Sequence, residues 1–128
     1  MDTGSEVEEG GQPGEIVVGS SEPVVIACIP AYNEEARIAG TIIKTTKYVS
    51  DVLVCDDASD DSTREIAEAL GVKVIRNEVA MGYSMTMSKL LSEALNIGAD
   101  YIVTLYADGS HDPSEIPRFI EASKKEGR

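Results

Sequence analysis

Four short apolar runs alternate with four amphipathic stretches, and this alternation predicts an α/β fold: a parallel sheet with helices on both faces. Three observations carry the prediction. The runs are continuously apolar and rich in Val and Ile, as strands buried on both faces are. The stretches between them repeat apolar residues at helical spacing. The joining loops are short, and right-handed crossovers leave few topologies, of which the order 3-2-1-4 is expected.

The first strand is predicted over residues 24–29, with Pro30 ending it. Asn33 reads as the N-cap of the following helix, helped by the charges of Glu34 and Glu35. Ile38, Ala39, Ile42 and Ile43 form its apolar face. Residues 51–55 make the second strand, and residues 56–61 an acidic loop. Ser62, with Glu65 three residues later, has the form of a capping box. Ile66, Ala67 and Leu70 face inward on that helix, which Gly71 stops. Residues 72–75 are the third strand, ended by Arg76 and Asn77. A helix over residues 84–97 points Met87, Leu90, Leu91, Ala94 and Leu95 at the sheet, and Gly98 closes it. Residues 101–105 are the fourth strand. Asp112 as N-cap and Pro113 at the first helical position open the last helix, residues 114–125, whose packed side is Ile116, Phe119, Ile120 and Ala122.

Composition bounds the function. The 128 residues suit one domain that buries roughly two-thirds of its unfolded surface. The net charge is −12, and the first 22 residues hold six acidic side chains and no Lys or Arg. Gly, Glu, Ser and Pro dominate residues 1–22, which reads as a disordered acidic leader, leaving 23–128 as the folded domain. The charge argues against nucleic acid, because no basic stripe is available to displace counterions. It equally argues against a polybasic membrane anchor. Cys28 and Cys55 have the spacing of neither a zinc site nor a redox pair, and read as buried thiols in a reducing, cytoplasmic setting. No apolar stretch approaches the ~20 residues of a membrane span.

In an open parallel sheet, ligands lie beyond the carboxyl ends of the strands, at the switch point between the first and fourth. The exit loops there are residues 30–35 and 106–113, with Asp57 at the neighbouring exit. Carboxylates crowded without Lys or Arg repel one another, and a bound cation relieves that. Asp108 and Gly109 are also ordinary turn residues, so this loop alone fits a turn cap equally well.

Three segments in order, IPAYNEE (29–35), VCDDASDDST (54–63) and TLYADGSHDP (104–113), resemble the large inverting glycosyltransferase family of the A-type nucleotide-sugar fold. The His-Asp-Pro ending is most similar to its polyprenyl-phosphate branch, which includes dolichol-phosphate mannose and glucose synthases. The resemblance covers residues 24 to about 125. It implies a Rossmann-like nucleotide-diphospho-sugar transferase half-domain that binds a UDP- or GDP-linked sugar with Mg²⁺ or Mn²⁺. By position, Pro30, Ala31 and Tyr32 would line the nucleobase pocket, and Glu34 would sit near the ribose or base. Asp57 would accept a base N–H, and Asp108 would bind the cation. Tyr106 stands where the family usually has Asp, and Ser110 where this branch often has Gln, so one charge is missing from the metal site. The loop after the third strand lacks the family's basic residue, a role Arg76 would partly fill near the phosphates.

The acceptor implied is a polyprenyl phosphate; a membrane would be met only through that lipid or through further regions. The chain reads as the nucleotide-binding part of a longer protein, without a general base and without turnover alone. A non-catalytic nucleotide-binding or regulatory module is the alternative. A phosphoacceptor receiver domain needs more strands, and a structural partner domain has only the acidic surface in its favour.

Overall fold

A computed structural model describes residues 22–126. The leader expected over residues 1–22 lies almost wholly outside them. The four strands are β1 (Val25–Ala31), β2 (Asp51–Asp56), β3 (Lys73–Arg76) and β4 (Tyr101–Thr104). They form one parallel sheet of order β3-β2-β1-β4, as the sequence predicts. The helices are α1 (Ile38–Thr46), α2 (Thr63–Ala69), α3 (Tyr83–Asn96) and α4 (Ile116–Lys125), the last entered through a short 3₁₀ turn, Pro113–Glu115.

Alternation along β1 sorts the core into two layers. Val25, Ala27, Ile29 and Ala31 face Ile38 and Ile42 of α1, Ala67 of α2 and Ile116 of α4. Ile26 and Cys28, with Leu53 and Cys55 of β2, face Met87, Leu90 and Ala94 of α3. Both cysteines are free and buried, and burial pushes each thiol up to about 11.

Several boundaries differ from expectation. β1 runs through Pro30, whose missing N–H does not prevent pairing in register with Cys55. Asn33 does not cap α1. It takes a left-handed backbone, φ 50°, while its Oδ1 accepts from the Asp60 amide at 2.9 Å and its own amide donates to Ser59 Oγ. It therefore ties two loops together, and α1 begins only at Ile38. Ser62 makes no side-chain cap to α2. Asp61 accepts from the Thr63 amide at 2.9 Å instead, and Glu35 accepts from the Ser62 amide.

Leu91 and Leu95 are exposed, at 36% and 66%. One helix lying alone on its sheet face buries only a narrow stripe, here Met87, Leu90 and Ala94. Ile43 and Leu70 are likewise exposed. On α4 the buried stripe is Ile116 with half-buried Ile120; Phe119 turns to solvent beneath the Arg118 guanidinium, and Ala122 is exposed.

Candidate functional site

Three strand ends converge on one open cavity of about 230 Å³. Its walls are Pro30 and Ala31 at the end of β1, Tyr32 and Glu34 after it, Asp57 after β2, and Tyr106, Ala107 and Asp108 after β4. Tyr83 and Thr86 of α3 complete it. The sheet order explains the convergence: β1 is flanked by β2 and β4, so their exits adjoin.

Asp57 is 9% exposed and intensively bonded. Its Oδ1 accepts from Asn77 Nδ2 at 2.9 Å and from the Met81 amide at 2.7 Å; its Oδ2 accepts from the Gly82 amide at 2.9 Å. Burial pushes its pKa up, but the hydrogen bonds from Asn77, Met81, Gly82 and Thr86 outweigh burial and hold the carboxyl below the usual range. A carboxylate offers about four lone-pair directions. Asn77, Met81 and Gly82 take three of them. Asn77, 1% exposed, also donates to Thr86 Oγ1 and accepts from Lys89 Nζ at 2.7 Å.

Asp108 sits in a tight turn with Gly109 at φ +80°. Its Oδ1 accepts from the Ser110 amide at 2.9 Å. The Ser110 side chain and amide, with Arg37 nearby, hold its carboxyl below the usual range. Tyr106 is half exposed and lies against His111, rings 5.0 Å apart and 13° from parallel. The Tyr106 amide donates to His111 Nδ1 at 3.2 Å, closing the loop from within. Tyr32 is 52% exposed at the mouth, and Glu34 pairs with Arg37 at 2.9 Å.

The structure thus brings Pro30, Ala31, Tyr32, Glu34, Asp57, Tyr106 and Asp108 to one cavity, with Ser110 beside Asp108. Arg76 is not in the lining; its guanidinium lies 3.3 Å from the fully buried Asp56. Sequence reasoning missed Tyr83, Thr86 and Asn77. Gly82 preceding a helix without a capping side chain was the available signal, since the free amides at that end then need an acceptor from elsewhere.

Among the described residues, no group of three or more His, Cys, Asp and Glu side chains could hold a metal ion. Asp108 supplies one carboxylate and Ser110 one hydroxyl; Tyr106 is neutral. That donor set fits a cation shared with a bound diphosphate, since Mg²⁺ is commonly held by one or two carboxylates plus substrate phosphates. No helix among the described residues is long and apolar enough to cross a membrane.

The family model for Glycosyl transferase family 2 matches residues 26–128. The chain belongs to this family. An undecaprenyl-phosphate mannosyltransferase of Micrococcus luteus is 36% identical over 105 residues, covering 77% of this chain and 43% of that protein. A dolichol-phosphate mannosyltransferase of Pyrococcus furiosus is 33% identical, covering 78% of this chain and 30% of that protein. The chain thus spans less than half the length of either relative. Among solved structures, glucosyl-3-phosphoglycerate synthase of Mycobacterium tuberculosis, in complex with Mn²⁺, UDP-glucose and glycerol 3-phosphate, aligns with a TM-score of 0.64 at 25% identity. That alignment covers 74% of this chain and 38% of the synthase. These matches establish a family 2 glycosyltransferase domain with the A-type α/β architecture.

Proposed function

We propose that this domain binds a nucleoside-diphosphate sugar and serves inverting transfer of that sugar to a polyprenyl phosphate. The observation that supports this most is that Asp57 and Asp108, from two different strand ends, line one cavity with Tyr32. Tyr32 stacks on the base, Pro30 and Ala31 form the wall, and Glu34 faces the ribose or base. Asp57 accepts a base N–H. Tyr106 closes the side towards β4. Arg76, held by Asp56, is left out of the ligand set.

Asp108 and Ser110 would hold Mg²⁺ or Mn²⁺ jointly with the diphosphate. The cation's contribution when bound is to offset charge on the departing diphosphate. In the transfer, the acceptor oxygen forms a bond to the anomeric carbon as the bond from that carbon to the diphosphate breaks. The donor chemistry is supported by the synthase complex with UDP-glucose and Mn²⁺, and the acceptor class by the two polyprenyl-phosphate relatives.

Calorimetric titration with UDP and GDP, with and without Mn²⁺, tests this reading. One of the two should bind, more tightly with Mn²⁺, and Asp108→Asn should remove the gain. Nucleotide binding that ignores Mn²⁺ would instead favour a non-catalytic nucleotide module, a reading that the neutral Tyr106 supports.

A further inference from the structure

Resting on that reading, we infer that without a cation the cavity holds an uncharged nucleoside more tightly than the matching nucleoside diphosphate. Among the described residues, the lining contains Glu34, Asp57 and Asp108 but no Lys or Arg. The cations around it already have partners, one of those partners in the lining itself. Arg37 pairs with Glu34, and Arg76 with Asp56. Lys89 donates to Asn77, and Lys44 lies in a neighbouring groove that also holds Asp108 and Asp112. A diphosphate therefore adds negative charge beside Asp57 and Asp108, with the one adjacent guanidinium, Arg37, already paired with Glu34.

The backbone offers only part of a substitute. A helix N-terminus ordinarily presents free amides to a phosphate. Here the Met81 and Gly82 amides at the start of α3 already donate to Asp57. The chain has supplied its own anion at those two amides, leaving the first-turn amides of Tyr83, Ser84 and Met85 without an acceptor among the described residues. What remains suits a flat neutral ring. Tyr32, Tyr83 and Tyr106 are each about half exposed around the cavity, with the Tyr83 and Tyr106 rings 6.3 Å apart and tilted by 59°. Aromatic faces take a base by stacking without regard to its phosphates.

The test is calorimetric titration of the 128-residue chain in EDTA with uridine against UDP and guanosine against GDP. The nucleoside that binds should do so about threefold to tenfold more tightly than its diphosphate at low salt. The gap should shrink as NaCl rises from about 0.02 to about 0.5 M. Tyr83→Lys, which puts a cation in the wall, should narrow the gap at low salt. The inference is overturned by a diphosphate that binds as tightly as its nucleoside, by a gap indifferent to salt, or by a nucleoside that fails to bind where UDP with Mn²⁺ binds. Those outcomes leave the proposed function standing. Absence of binding by every nucleoside and diphosphate, with Mn²⁺ as well as without, removes both.

Discussion

Asp57 illustrates how one side chain can serve the fold and a ligand together. Three donors converge on it: the Asn77 amide group and the Met81 and Gly82 backbone amides. Asp57→Ala leaves those donors without their acceptor in a nearly buried place. It should lower unfolding free energy by about 1–3 kcal/mol in urea denaturation. The same variant should lose nucleotide binding. The pH dependence follows from the sign of the shift. The folded pKa is below the ordinary 3.8, so the contribution to stability is full above that value. It fades as pH falls through the folded pKa. An acid titration of stability should therefore fall below about pH 4, and Asp57→Ala should flatten part of that fall. The sequence shows Asp57 at a strand end, but its partners lie 20 to 25 positions away. No local pattern could disclose them.

At the scale of elements, strands were more legible than helix starts. The apolar runs of β1 and β2 are buried on both faces, and continuous burial leaves an unambiguous trace in composition. Caps are local chemistry that tertiary contacts override. Asn33 and Ser62 have the right side chains, yet the loops after β1 and β2 use one another: the Glu34 amide donates to Thr63 Oγ1 and the Glu35 amide to Asp61. The pair of loops is fixed as one unit, and that unit places Tyr32 and Glu34 beside Asp57. Gly82 is the sharpest case. Its φ of 90° and ψ of 169° lie in a region essentially reserved for glycine. An added Cβ meets no atom within 4 Å, so the cost of substitution is backbone strain alone. Gly82→Ala should lower stability by about 1–3 kcal/mol. A thermal melt checks this; an unchanged melting temperature would mean that the loop before α3 is free to adopt another path.

For the whole molecule, the sheet order was legible because crossover handedness permits few alternatives. That order is what makes a site of residues far apart in sequence. The charges of the site were less legible. The acids are plain in the sequence, but whether a neighbouring base is free depends on its partner. Arg76 stands at a strand end, and its guanidinium lies 3.3 Å from Asp56, which is fully buried. Arg76→Ala should therefore act on stability, leaving Asp56 buried without its cation, and should cost about 3–5 kcal/mol in urea denaturation. Its effect on UDP affinity with Mn²⁺ should be small.

The central claim is that the loops after β1, β2 and β4 share one ligand. Backbone amide NMR of the chain with UDP, before and after Mn²⁺, tests this most directly, because the paramagnetic ion broadens nearby resonances. The account predicts UDP-induced shifts at Ala31, Tyr32 and Asp57 together, then Mn²⁺ broadening centred on Asp108 to Ser110. Shifts confined to one of these loops, or broadening centred elsewhere on the chain, would contradict it.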